Sequence, residues 1–462
     1  MIGTTRRLLA SVAGTTVSGL FCFVSTLLCA SGHAAAQTQR PADYAGFATF
    51  DRFLTQSGAA RLADFAGKPG VRVRDASALE EMKAHLLDMY RGVHVRHSFV
   101  ENGHPVDCVP LDQQPGLRDA TPAEKRAALG GSRPVPPPAA KEGKAGPGTT
   151  RSLDLTLPRG KRDAFGNSMS CEPGTIPIRR ITLQEMTRFP TLGDFLRGGK
   201  VDDGSLDRRP RNEPADTSQH YYARGLQFVD NLGADAWLNV WSPKVDDHRM
   251  SLSQLWVVGS EGDAKQTVEA GWQVYPDKWG SSQSALFIFY TTQNYKDGCY
   301  NIECKGFVQV ANNVYLGRGF DHYSATNEGQ WGFNLQWKRN TDGNWWLFYK
   351  GPGPYIAVGY YPKSLFGSGT LSTNATKIAF GGEDTEVPSA LEIGSGRVAS
   401  EGWQKAAFQN FIFYIDKATT SQWASLTKQE IVSDCYTTDI HNIFGNWGSY
   451  LFFGGPKCTK TP

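Results

Sequence analysis

Two glutamates stand where a charge needs a reason. In TVEAGWQVYP (267–276), Glu269 interrupts an apolar and aromatic run; in KIAFGGEDTE (377–386), Glu383 follows an apolar run and two glycines. Side chains on a strand alternate between faces. Val268, Ala270, Trp272 and Val274 therefore share a core face, and Glu269, Gly271 and Gln273 share the other. A carboxylate and an amide on either side of a glycine, where a backbone can approach closely, suit the floor of a groove. A solvated outer sheet face would show the same alternation. If both glutamates line one groove, proximity and partial burial force one to hold a proton while the other is ionised. The ionised one can take a proton from water, and the protonated one can donate to an oxygen or a leaving amine. A pair sharing one proton works at acid pH. Gln273 is a candidate for holding a water or a carbonyl oxygen, with a strand-to-strand hydrogen bond as its structural alternative. Asp384 and Glu386 read as ordinary solvated loop charges.

Other chemistries find less support. Gly-x-Ser-x-Gly is absent, and Gly394-Ser395-Gly396 reads as a turn. His220, His248, His322 and His441 lack metal-ligand spacing, and His94 with His97 has no matching acid cluster. No metal or organic cofactor is expected. Trp256, Tyr290 and Trp337 are candidates for lining subsites, although most aromatics in a sandwich are core. Asn374-Ala375-Thr376 fits a glycosylation acceptor.

The elements that must position these residues are strands. From Gln219 onward, short apolar or alternating runs recur, among them AWLNVW (236–241), SQLWVVG (253–259), SALFIFYTT (284–292), NWWLFYK (344–350) and NFIFYID (410–416). Turn chemistry such as Lys296-Asp297-Gly298 and Asp342-Gly343-Asn344 separates them. This texture predicts an all-β fold, an antiparallel β-sandwich of the jelly-roll or concanavalin-like kind. Fifty glycines with 12% aromatic residues agree with strands and tight turns. Hydrophobic residues at 40% permit a buried core, and a net charge of +3 without a basic stripe argues against nucleic acid.

Upstream the texture differs. Arg6 and Arg7, the apolar stretch Leu8 to Leu28 and Ala34-Ala35-Ala36 read as an export signal over 1–36, with a membrane anchor as the alternative. No later stretch is long and apolar enough to span a membrane, and a secreted or periplasmic protein without a stable anchor is expected. DASALEEMKAHLLDMYRGV predicts a helix capped by Asp75 or Ser77, with Leu79, Met82, Leu86, Leu87 and Tyr90 at helical spacing. Residues 119–165 are rich in Pro, Gly and charge and predict a flexible linker. RGGKVDDGSLDRRPRNEP (197–214) reads as exposed and open to proteolysis.

Cys108, Cys171, Cys299, Cys304, Cys435 and Cys458 remain after the signal, an even number that suggests three disulfides in an exported chain. Six cysteines allow 15 pairings. Cys299 with Cys304 would close a small loop, Cys435 with Cys458 would pin the C-terminus, and Cys108 with Cys171 would be left.

Many separate motifs, in order, resemble the neprosin family of glutamic peptidases. VDCVPLDQQPGL (106–117) and CEPGTIPIRR (171–180) are similar to the family's propeptide signatures. NVWSPKV (239–245), VEAGWQVYP (268–276), GCYNIECKGFVQV (298–310), GYYPKSLF (359–366), FGGED (380–384) and WGSYLFFGGP (447–456) are similar to its peptidase domain. The resemblance implies a signal, an inhibitory mixed α+β propeptide over 37–214, and a β-sandwich peptidase over 215–462. Its two catalytic glutamates would be Glu269 in EAGWQ and Glu383 in GGE, the same two singled out by alternation. It also implies cleavage at or near proline in acid. Pro210 and Pro214 are then placed for self-activation, with peptide or protein as substrate, the propeptide as inhibitor and a monomer expected. The rivals are a glycosidase using its glutamate pair and a non-catalytic carbohydrate-binding sandwich.

Overall fold

The computed structural model describes residues 48–130, 150–200, 219–260, 264–386, 391–428, 435–445 and 447–457. All of these fall in one unit, Pro41–Pro462. The expected signal (1–36), Pro210, Pro214 and Cys458 lie outside the described residues. No helix among the described residues is long and apolar enough to cross a membrane.

The N-terminal part is mixed. Helices α1 (Phe50–Ala59) and α2 (Ala76–Met89) pack together. As its sequence predicts, α2 is capped by the Asp75 carboxylate, which accepts from the Ala78 N–H at 2.8 Å and satisfies a donor the helix itself leaves open. Leu79, Met82, Leu86 and Tyr90 are buried, whereas Leu87 faces outward. Strands β1 (His97–Glu101) and β2 (His104–Pro110) lead into the short helices α3 (Pro115–Arg118) and α4 (Pro122–Gly130). Strands β3 (Thr150–Ser152) and β4 (Thr175–Arg179) follow, then helices α5 (Leu183–Met186) and α6 (Leu192–Arg197). β1, β2 and β4 form a three-stranded sheet, and Cys108 is bonded to Cys171 beside it.

The remainder is two antiparallel sheets. One has the order β10-β9-β8-β7-β15-β5-β18. Its members are β5 (Gln219–Asn231), β7 (Ser251–Gly259), β8 (Gln266–Val274), β9 (Ala285–Thr291), β10 (Cys299–Tyr300), β15 (Ala375–Glu386) and β18 (Thr427–Lys428), and α7 (Pro276–Trp279) follows β8. The other runs β11-β14-β13-β12-β6-β16-β20-β19. It comprises β6 (Gly233–Asn239), β11 (Val308–Gln309), β12 (Gln330–Arg339), β13 (Trp345–Lys350), β14 (Ile356–Tyr361), β16 (Ala407–Ile415), β19 (Thr437–Gly445) and β20 (Gly448–Gly454), with β17 (Ser421–Trp423) on β16. Trp272, wholly buried between the sheets, donates its indole N–H to the Asn239 carbonyl of the opposite sheet at 2.9 Å. The parity argument for Trp272 holds, and the sandwich is the expected one.

Two stretches depart from expectation. Part of the supposed linker is structured: β3 pairs parallel with Gln330–Gly332 of β12, and Leu153, Leu155 and Leu157 are buried behind it. Those three leucines at alternate positions were the overlooked signal of a buried stretch following β3. The start of the 197–214 stretch is also not exposed, since Gly198 and Lys200 are buried. Cys299 is bonded to Cys304 as the spacing suggested.

Candidate functional site

The outer face of the first sheet holds the site, and strand register explains how. Residues directly opposite in an antiparallel pair share a face. Glu269 of β8 opposes Trp256 of β7, Gly271 opposes Gln254, and Gln273 opposes Leu252. Across β15, Leu252 opposes Glu383 and Gln254 opposes Gly381. Tyr222 and Arg224 of β5 oppose Glu383 and Gly381. Glu269 and Glu383 therefore project from one face, with β7 between their strands. Trp256 shares this face, whereas Tyr290, opposite Val268, lies on the core side with its ring 5.1 Å from that of Tyr361 in the other sheet. Trp337 is core as well.

The two glycines serve neighbouring side chains. A Cβ on Gly271 would meet the Ser253 carbonyl oxygen at 2.0 Å and Gln254 Cβ at 2.6 Å. The close approach is that of β7 itself, which lets Gln254 lie over β8 and reach Glu269. Gly381 sits at φ +136°, where L residues are strained, and leaves the space that Arg224 fills. Beneath it, the Gln409 amide of the second sheet donates to the Ser253 hydroxyl at 2.8 Å and the Gln254 carbonyl at 3.2 Å.

Lys200, at the end of the N-terminal part, joins the two carboxylates. Its ammonium lies 2.8 Å from Glu269 Oε2 and 3.6 Å from Glu383 Oε2, with all three side chains buried. Burial works against the Lys200 charge, but the two glutamates outweigh it and hold the ammonium above its ordinary range. Glu269 accepts three neutral donors besides: Gln254 Nε2 at 2.9 Å, the Thr267 hydroxyl at 2.8 Å and the Tyr295 hydroxyl at 2.8 Å. The Tyr295 phenol is pushed well up, by burial and by the neighbouring Glu269.

Glu383 has cationic company. His220 Nδ1 lies 2.6 Å from Glu383 Oε1, while its Nε2 faces the Gly199 carbonyl at 3.1 Å. Both ring nitrogens face acceptors, and only an imidazolium donates to both. Burial would raise the Glu383 carboxyl, but Lys200, the His220 hydrogen bond and the charges of His220 and Arg224 hold it down at about 2. The Arg224 guanidinium stacks 3.7 Å from the Tyr222 ring centroid.

Gln273 reaches neither glutamate. Its Nε2 bonds the Tyr300 hydroxyl at 3.1 Å and meets Met250 Sδ; Tyr300 is on β10, so the bond runs between strands. The amide oxygens of Gln273 and Gln254 are buried without a hydrogen-bond partner. Asp384 points to the core side, where Tyr436 donates to it, and is not the loop charge expected. Lys200, His220, Gln254 and Tyr295 were not found by sequence reasoning. His220 had one available signal: it lies on a strand, one step from the apolar–aromatic alternation of β5.

Comparison with known proteins places these observations. The Neprosin family model matches residues 247–456. Among solved structures, the chain is similar to Scytalido-glutamic peptidase with a peptide-based transition state analog, at 10% identity. It is similar also to SCP-B, a member of the Eqolisin family of peptidases, in complex with the tripeptide Ala-Ile-His, at 10% identity. Each match covers 52% of this chain and 100% of the other, with a TM-score of 0.29.

Proposed function

We propose, on the premise that residues 247–456 make this chain a member of the neprosin family of glutamic peptidases, that it is a secreted endopeptidase held latent by residues 48–200. Its dyad is Glu269 and Glu383. The observation that carries this reading is the Lys200 ammonium seated between the two carboxylates. A buried cation there occupies the place of an attacking water and ties up both groups. The two described disulfides suit an oxidising compartment.

Once Lys200 leaves, the two glutamates are no longer equivalent. Glu383 keeps His220 and Arg224 beside it and remains the ionised partner, the base that takes a proton from water. Glu269 keeps the neutral donors Gln254, Thr267 and Tyr295 beside it, and the part of the acid is assigned to it. As an acid it hydrogen-bonds the developing oxyanion and then passes its one proton to the leaving amine as the C–N bond breaks, while Glu383 holds the proton taken from water and gives it up to solvent. The free amide oxygens of Gln254 and Gln273 are acceptors suited to substrate N–H groups. The preference for proline follows from the family resemblance alone. Acidification in the presence of a Pro-containing protein tests the proposal: mass spectrometry is expected to find cleaved peptides and a new N-terminus within 201–218, and neither appearing would overturn it.

Two outcomes follow within this reading. Tyr295→Phe removes a hydrogen bond to Glu269 and is expected to lower kcat about tenfold or more with KM little changed, read from steady-state peptide hydrolysis. The second concerns acid release. His104 of β2 packs on Gly280 beside Arg179, Arg188, Glu185 and the Trp279 carbonyl, and burial, then Arg179, lower its imidazole to about 4. Arg179 leaves with His104, so the docked share of the shift is the burial against Gly280; the released segment takes up a proton that the docked one refuses, and docking weakens as pH falls towards about 4. His104→Gln is expected to move the midpoint of activation to lower pH, measured by appearance of activity across a pH series.

A further inference from the structure

Away from the dyad, the N-terminal part fills a second buried site. Phe195 of α6, 1% exposed, has the Lys278 ammonium 3.6 Å from its ring centroid, and the same ammonium donates to the Phe195 carbonyl at 2.8 Å. Lys278 is fixed in place by Glu303, which accepts from it, and lies 5.0 Å from the Tyr300 ring. Phe189 packs edge-on against both Phe195 and Tyr275, at 5.6 and 5.7 Å. The site is continuous with the dyad: Tyr300 lies 5.0 Å from Phe289, over which the Lys200 ammonium sits at 5.4 Å. Gly198 runs between, so close to Tyr300 that a Cβ would meet the ring at 2.6 Å.

The partners that hold the two rings on one side (Lys278, Glu303, Tyr300 and Tyr275) belong to the β domain, and both aromatic side chains belong to the segment that holds the enzyme latent. Departure of that segment uncovers a cation, an apolar ring surface and a donor for a main-chain carbonyl, all on the path a peptide takes to reach Glu269. We infer that this pocket is a substrate subsite that takes an aromatic side chain of the peptide, with Lys278 stacking on the ring and binding that residue's carbonyl. Phe195 shows the mode of binding. The inference rests on the peptidase reading above and adds a second specificity determinant to it.

The test uses activated enzyme and a set of synthetic peptides with one common cleavage site and a single Phe moved through the positions flanking the cut, Ala elsewhere. One position is expected to raise kcat/KM about tenfold or more over Ala, the scale of burying a ring against a cation. That ratio is expected to fall towards one in Lys278→Met. A flat profile with normal cleavage overturns the subsite, and so does a preference unchanged in Lys278→Met. Absence of any cleavage overturns the peptidase reading itself and is distinguishable by that. As a check that does not alter the mature enzyme, Phe195→Ala in the full chain is expected to speed activation after acidification about tenfold. An unchanged rate would show that the pocket does not hold Phe195 as proposed.

Discussion

Glu383→Gln is expected to lower kcat/KM for peptide hydrolysis about 10³-fold or more, the upper part of the range that a positioned base contributes. An amide at 383 accepts no proton from water, and His220 and Arg224 remain beside it with no anion to serve. Glu269→Gln is expected to cost less, about 10²-fold. Its amide N–H still reaches the oxyanion, although it has no proton to give the leaving amine. The order of the two losses is the informative result. Reversed losses would exchange the roles of base and acid, and cleavage surviving in both variants would sink the two-glutamate mechanism. Loss of sugar hydrolysis in place of peptide hydrolysis would favour the glycosidase rival. An unaltered ligand affinity with no hydrolysis at all would favour the carbohydrate-binding one.

Lys200→Met carries the second large effect. Removing one partner from a buried ion pair leaves uncompensated charge and costs about 3–5 kcal/mol; here it leaves two carboxylates facing each other. Proton uptake by one glutamate or departure of the segment relieves the repulsion. The variant is expected to show peptidase activity without an acid step, or a midpoint of activation several pH steps higher. The wild-type window follows from Glu383. Its carboxyl is held at about 2 while Lys200 is docked, and His220 and Arg224 stay beside it on release, so only the share due to Lys200 is linked to docking. That share is complete where the released carboxyl is ionised and is lost as pH falls towards 2. Time courses of processing at neutral and acid pH measure the shift. A Lys200→Met chain as latent as wild type, with the same midpoint, would show that the ammonium does not hold the segment. Combining the variant with Glu383→Gln shows whether processing is the enzyme's own.

The glutamates were legible because their strands are. Period-two alternation assigns Glu269 a face without knowledge of its neighbours, and the glycines beside both residues mark crowded backbone. Pairing across β7 was not legible, since register depends on which strands meet. Lys200 and His220 were hidden by distance along the chain: Lys200 lies 69 residues from Glu269, and His220 lies 163 from Glu383. Composition misled at two places in the N-terminal part, inside it and at its end. A run rich in Gly and charge reads as solvated, yet Gly198 is small enough to pass Tyr300, and Lys200 is buried because two anions await it. Gln273 shows the limit of parity, which gives a face but not the direction in which an amide turns.

Cys108 and Cys171 lie on either side of residues 131–149. A nick within that stretch leaves residues 48–130 and 150–200 stapled as one body, and Lys200 stays anchored through the second of them. Under the proposed latency, a cut by a foreign protease there is expected to leave the chain latent. Release is then expected to need a cut beyond Lys200 or the loss of the contacts that seat it. The bond keeps the two parts of the proposed inhibitor together through such a cut.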